Sequence, residues 1–474
     1  MGVENILFVM ALLFGFYMAW SVGANDVANA MGTSVGSGAL TLKRAVIVAA
    51  ILEFCGAFLV GSHVSETVRK GIVQPEVFAS QPLFFVYGMI AALLAAGVWL
   101  QLASYYGWPV STTHSIVGAI VGFGVVVGGW SAVSWDKFGS IVASWVISPL
   151  SSGLISFAIF SLLRRQIFLN SDPLAAAKRL TPYLVFAVFS VLTLVLVFKG
   201  LSNLNLDLPL GQALLVATVA GVIAAAVSTV LVRRIKLPSA VAPAKSQQND
   251  SVIASLVGAA EQLQAAAKEA TGDIRFQISR LLDETKLLSF DAKRVKPPDE
   301  GERNIKAVER IFAYLQILSA CFVAFAHGAN DVANAIGPLA AAVEVLRTGV
   351  VSLKATVPLW ALALGGLGIV VGLATWGWRV IETIGKRITE LTPTRGFAAE
   401  FGAAVTIVLA SKLGMPISTT HTLVGAVLGV GMARGLGALN LRTIRDIVIS
   451  WVITVPVGAA LAVLFFYVLR GIFG

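Results

Sequence analysis

Apolar residues recur along this chain in runs as long as a bilayer is thick, and that pattern excludes most folds open to 474 residues. The runs lie near 4–22, 44–62, 82–104, 115–133, 138–162, 182–199, 211–232, 308–327, 357–379, 398–413, 423–436 and 445–470. A helix crosses the hydrocarbon in about 20 residues, or somewhat fewer with tilt and anchoring, so roughly twelve spans are expected. The runs at 398–413 and 423–436 are short for full crossings. Lipid offers no partner to a bare backbone, so spans of this length must be helical. Composition agrees: 57% of residues are hydrophobic and 13% charged, against about 45–50% and about 25% in soluble domains. The expected fold is an all-α polytopic membrane protein. No basic segment precedes Leu7 and no A-x-A site follows, so the first run reads as a retained span.

The net charge of +10 does not mark a nucleic-acid partner, because the basic residues sit between the apolar runs, where they set orientation. Taking Arg233, Arg234 and Lys236 as cytoplasmic and alternating outward places Lys43, Arg44, Arg164, Arg165, Lys178, Arg179, Lys386 and Arg387 inside as well. A minority, including Lys137, Arg347 and Arg470, falls outside, and both termini come out external. Cys55 and Cys321 both lie within apolar runs, which supports neither a disulfide framework nor a metal cluster.

An octapeptide occurs twice: Gly23-Ala24-Asn25-Asp26-Val27-Ala28-Asn29-Ala30 returns as Gly328-Ala329-Asn330-Asp331-Val332-Ala333-Asn334-Ala335. A second pair, Gly107-Trp108-Pro109-Val110-Ser111-Thr112-Thr113-His114 and Gly414-Met415-Pro416-Ile417-Ser418-Thr419-Thr420-His421, keeps nearly the same offset. The first copy of the octapeptide follows span one and the second follows span eight, so the two would point opposite ways. That is the arrangement of inverted repeats, whose binding site forms near the midplane where the copies meet. The division expected is a first repeat at 1–162, an extra pair of spans at 163–232, a cytoplasmic loop at 233–306 and a second repeat at 307–474, with broken or re-entrant helices at the motifs. Within the loop, Val252, Leu256, Leu263, Ile274, Ile278 and Leu281 recur at helical spacing, predicting one or two amphipathic helices.

The octapeptide puts an ionisable group in oil, which by default marks function. Gly and Ala before Asn-Asp allow the helix to be interrupted, exposing carbonyls that join Asp26 and Asp331 as hard oxygen ligands for a small cation such as Na⁺. Asn25, Asn29, Asn330 and Asn334 are able to donate to an anion or accept a cation. In the second motif Pro109 and Pro416 stop the incoming segment, and Ser111, Thr112, Thr113, Ser418, Thr419 and Thr420 supply hydroxyls and N-caps. Helix starts bind phosphate-like anions through free N–H groups, and two opposed starts would grip one oxyanion from both sides. His114 and His421 are candidates to titrate or donate, although a His in such a turn is more commonly a fixed hydrogen-bonding group. Glu53 and Glu400 are further acids within apolar runs, and Leu93 aligns with Glu400, so the duplication is asymmetric. Carboxylates at about 4 Å from an anion repel it by several kcal/mol at intermediate dielectric, and no Arg or Lys lies within the motifs to offset this. Cations must therefore enter with the anion, which is a physical reason for symport.

The four motif copies resemble the signatures of the inorganic phosphate transporter (PiT) family, which includes the sodium-phosphate symporters of solute carrier family 20. The resemblance covers roughly 20–150 and 325–460. It implies Na⁺-coupled phosphate symport by alternating access, with H⁺ coupling or a duplicated anion channel as alternatives. It further implies phosphate at Asn25, Asn29, Ser111, Thr112, Thr113, Asn330, Asn334, Ser418, Thr419 and Thr420, and cations at Asp26, Asp331, Asn25, Asn330, Glu53 and Glu400. Neither an enzyme motif nor a resident cofactor is expected; the partners are inorganic phosphate, Na⁺ and the bilayer of the cell membrane, with a homodimer allowed.

Overall fold

A computed structural model describes residues 2–69, 72–197, 208–234, 244–270, 272–294, 300–351, 357–412 and 417–474. Each apolar run becomes helical, and with three further helices the described residues form fifteen α-helices. In chain order these are α1 (Val3–Gly36), α2 (Leu42–Arg69), α3 (Pro82–Tyr105), α4 (Thr112–Gly128), α5 (Trp135–Leu163), α6 (Pro173–Val195), α7 (Leu210–Arg233), α8 (Ala244–Glu269), α9 (Gly272–Arg294), α10 (Glu300–Thr348), α11 (Leu359–Thr375), α12 (Trp378–Glu382), α13 (Pro393–Lys412), α14 (Thr419–Arg434) and α15 (Leu441–Phe473). Among the described residues, eight helices are long and apolar enough to cross a membrane, or up to nine counting α11 with the segment through Arg387, which bends from it by 58°. The shorter helices α4 and α14, of 17 and 16 residues, start inside the protein and need no full span. At about 1.5 Å per residue the 49 residues of α10 far exceed the roughly 30 Å hydrocarbon core, so α10 extends beyond the membrane. In the central loop the amphipathic pattern forms α8 and α9, which pack on each other.

Two crossings set the frame. Helix α1 packs on α11 and α2 packs on α10, and each crossing is made by a reciprocal pair of glycines. A β-carbon on Gly23 would stand 2.0 Å from the Ile369 carbonyl oxygen, and one on Gly372 1.9 Å from that of Trp20. At the other crossing, Gly328 meets the carbonyl oxygen of Glu53 at 2.1 Å and Gly56 that of Phe325 at 2.0 Å, measured the same way. With no hydrophobic driving force between helices in lipid, such backbone approach supplies the packing.

The expected interruption at the octapeptides is not observed. Both α1 and α10 run helically through residues 23–30 and 328–335, so no backbone carbonyl is released there. The glycines serve close approach instead, and the Asn and Asp side chains bond across to other helices rather than to their own backbone. The chain breaks before α4, where Gly107 has φ +69° and Ser111 is extended, and at the α11–α12 bend. The expected stop at Pro416 lies outside the described residues.

Candidate functional site

The two motif families meet crosswise. Asn29 on α1 donates to Thr420 Oγ1 at the start of α14 (2.9 Å), and Asn334 on α10 donates to Thr112 Oγ1 at the start of α4 (3.1 Å) and to Thr113 Oγ1 (3.4 Å). The same amides also reach back one turn to Asp26 Oδ1 (3.2 Å) and Asp331 Oδ1 (3.3 Å). Thr420 donates to Asp26 Oδ1 (3.1 Å) and Thr419 to Asp331 Oδ2 (3.1 Å). Both amides and the Asp26 carboxylate thus bond to hydroxyls of the other half, whereas Asp331 accepts from Thr419 of its own half.

Ser111 and Ser418 cap α4 and α14, each accepting from the backbone N–H of its own motif histidine at 3.2 Å. The two helix starts converge closely enough for the His114 and His421 rings to lie 4.2 Å apart, centroid to centroid. Each ring is backed by a tryptophan, Trp145 or Trp451, with centroids 3.6 Å apart. Asn25 takes a different part from its expected one. Its amide donates to Ser104 Oγ and Trp108 O (both 3.0 Å) while its oxygen accepts from Val110 N (3.2 Å), so it pins the irregular segment before α4. Asn330 donates to Asp331 Oδ1 at 2.8 Å.

At the centre stands a residue that the motif reading passed over. His327, on α10 one turn before Asp331, places Nε2 2.8 Å from Asp331 Oδ2 and 3.8 Å from Asp26 Oδ2, and Nδ1 3.3 Å from Glu53 Oε1. All four side chains are buried. Asp26, His327 and Asp331 each offer one ligand atom within 4.8 Å of the others. Around them, Asp26 Oδ2, Asn29 Oδ1 and both Glu53 carboxylate oxygens are buried and accept no hydrogen bond from a described residue. Buried acceptors without donors are costly and call for a positive partner. Unpaired hard oxygens suit a small hard cation.

The charge is one-sided. At the α1–α11 crossing Val22 and Ile369 hold the places that His327 and Glu53 hold at the α2–α10 crossing, and both are buried aliphatics. A signal for His327 was present in the sequence, since it directly precedes Gly328 within an apolar run. Glu400, on α13, is in a separate cage: Thr33, Ser34 (3.0 Å) and Gln316 (3.3 Å) donate to Oε1, and Ser319 donates to Oε2. Gln316 and Ser319 carry no repeat signature, and only the packing of α10 on α13 brings them there.

This geometry can be set against known proteins. A sequence model of the phosphate transporter family matches residues 22–462. The chain belongs to that family. Among relatives of this phosphate transporter, the inorganic phosphate transporter 2-1, chloroplastic, of Arabidopsis thaliana is 46% identical over 98% of this chain and 72% of its own length. A putative phosphate permease of Chlamydia trachomatis is 46% identical over 99% of both chains. A solved structure titled the sodium-dependent phosphate transporter aligns with a TM-score of 0.77 at 38% identity, over 98% of this chain and 99% of that one. The phosphate transporter fold is therefore shared across nearly the whole length.

Proposed function

We propose that the chain carries inorganic phosphate together with Na⁺ across the cell membrane by alternating access between two inverted repeats. One observation carries this reading: buried oxygens of Asp26, Asn29 and Glu53 without hydrogen-bond donors adjoin the crosswise hydroxyl and amide grip of the two helix starts. In this reading Na⁺ binds at Asp26 and Asp331, with Glu53 and the Asn29 oxygen as further donors and Glu400 as a distant site. Phosphate sits between the starts of α4 and α14, taking donors from Asn29, Asn334, Thr112, Thr113, Thr419 and Thr420 and from the helix N-termini. The anion joins carboxylates only after cations have reduced their charge, which makes the binding of the two cooperative. The sodium-dependent phosphate transporter that shares the fold supports the choice of cation. We place Arg233, Arg234, α8 and α9 on the cytoplasmic side and both termini outside.

Proton coupling is the second reading, favoured by the imidazole of His327 among three carboxylates. Uptake of labelled phosphate into proteoliposomes, with Na⁺ and pH gradients imposed separately, separates the two. Concentrative uptake with Na⁺ alone supports the first, and with a pH gradient alone the second. Accumulation that never exceeds equilibrium under either gradient would replace both with a channel.

A further inference from the structure

We propose that α6, α7 and the first half of the membrane-embedded part of α10 form a binding site for one anionic phospholipid, distinct from the transport site. The three helices enclose a cavity of about 880 Å³ with an almost wholly apolar wall. On α6 it is lined by Thr181, Val185 and Phe189, on α7 by Ala220, Ala224, Val227 and Leu231, and on α10 by Ile311, Tyr314 and Leu318. Thr181 turns its hydroxyl back to Ala177 O at 2.7 Å, so the wall presents carbon. The groove is open on its outer side, where Ile223, Val227 and Leu231 are exposed.

The shape has a local cause. Helices α6 and α7 touch at Gly221, where a β-carbon would stand 2.3 Å from Ser190 Oγ and 2.8 Å from the Phe186 ring, and Ser190 donates to Ala217 O (3.2 Å). Phe189 packs edge-on against Phe322 of α10 with centroids 5.6 Å apart and closes the cavity at this level. The groove occupies the region from there toward the Lys178 and Arg234 ends of the two antiparallel helices. From Ala220 to Leu231 is about 16 Å along a helix, the depth of one leaflet of a core roughly 30 Å thick.

The rim identifies the occupant. Each lining stripe, continued one turn toward that end, meets a cation. The α6 stripe leads to Lys178 at the i−3 position from Thr181. The α7 stripe 220, 224, 227, 231 leads to Arg234, and Arg310 precedes Tyr314 by four. Three basic positions on three helices thus lie one helical turn beyond the lining of an apolar slot one leaflet deep, with Arg233 next to Arg234 in the chain. Arg233, Arg234 and Arg310 form no ion pair among the described residues. An acyl chain fits the slot, and a phosphate-bearing headgroup with net negative charge fits the rim, as in other basic pockets between membrane helices. That the leaflet is the cytoplasmic one rests on the orientation proposed above; the charge and class of the lipid do not.

The test uses the full-length protein in mild detergent, titrated with phosphatidylglycerol or phosphatidylcholine of identical acyl chains, with bound lipids counted by native mass spectrometry. Wild type is expected to hold one phosphatidylglycerol per chain at about tenfold lower lipid concentration than phosphatidylcholine. The triple variant Lys178→Gln, Arg234→Gln, Arg310→Gln should reduce that preference below about twofold, and Ala224→Trp should reduce retention of both lipids by filling the slot. Equal retention of the two lipids by wild type overturns the proposal without recourse to any variant. So does an unchanged preference in the triple variant, or a disulfide between two chains carrying Ala224→Cys in native membranes, which would seat a second copy on this face.

Discussion

His327 Nε2 lies 2.8 Å from Asp331 Oδ2, one turn along the same helix, while its other ring nitrogen faces Glu53 across the α2–α10 seam. One imidazole therefore stands between membrane-buried acids that, when ionised, repel one another by about 4 kcal/mol for a pair at 4 Å and an effective dielectric of 20. It is the hub of the cluster.

Replacing it isolates that role. His327→Ala removes the ring nitrogens that stand 2.8 Å from Asp331 Oδ2 and 3.3 Å from Glu53 Oε1, a change of about 3–5 kcal/mol for a broken buried pair. Cations should then stabilise the variant more than they stabilise wild type. The rise in melting temperature on exchanging choline for Na⁺ is expected to grow, and phosphate uptake to fall at least about tenfold. An Na⁺ response no larger than that of wild type would remove His327 from the cation site.

The carboxylates make a sharper demand. Asp26→Asn and Asp331→Asn preserve shape and remove charge, so each variant should reach the membrane in normal amounts and lose cation-driven uptake by at least about 100-fold. Surface expression measured beside proteoliposome uptake checks both halves of the expectation. Near-normal driven uptake in both variants would count decisively against a cation at this pair.

The crosswise bonds should be energetically coupled. Asn29→Ala and Thr420→Val each break the 2.9 Å bond between α1 and α14. Together they should destabilise the protein by about 1 kcal/mol less than the sum of the single changes. A double-mutant cycle on denaturation midpoints in detergent measures this. Strict additivity would mean that the two side chains do not act on one another.

The reciprocal glycines forbid even a methyl group. Gly23→Ala and Gly328→Ala drive a β-carbon to about 2 Å from a facing carbonyl, so overpacking of at least about 1–3 kcal/mol is expected. Gly139→Ala, where nothing lies within 4 Å, is the matched control and should be neutral or slightly stabilising. Fluorescence-detected size exclusion of fusion proteins compares the three, and a monodisperse, fully active Gly328→Ala would contradict the close approach.

Glu400 is caged by donors, which separates its size from its charge. Glu400→Leu strips acceptors from Thr33, Ser34, Gln316 and Ser319 and should cost about 1–3 kcal/mol or more. Glu400→Gln retains one acceptor oxygen and should fold, while changing the steepness of uptake against Na⁺ concentration. An unchanged steepness would confine Glu400 to a structural role.

What the sequence discloses depends on the range of the force involved. The twelve apolar runs became helices because burial in lipid is decided residue by residue, and the Ser111 and Ser418 caps were legible because a cap is a local bond across three residues. The octapeptides misled for the opposite reason. Glycine beside Asn-Asp reads locally as a helix breaker, whereas here a partner helix comes so near that only glycine fits, and Asn29 and Asn334 find acceptors in the other half of the chain. Glu53 was visible as an acid in oil, but its convergence with His327 depends on how α2 lies against α10, which no spacing along one helix encodes. Asn25 was assigned to a ligand and is engaged instead in pinning Trp108 and Val110.

Because Asn29 reaches Thr420 while Asn334 reaches Thr112, neither half of the molecule owns a complete set of tongs. Under the proposed alternating access, a rocking movement that parts α1 from α14 would strip from the cargo ligands contributed by both halves, and release would need no dedicated latch: the joint that turns would also be the hand that lets go.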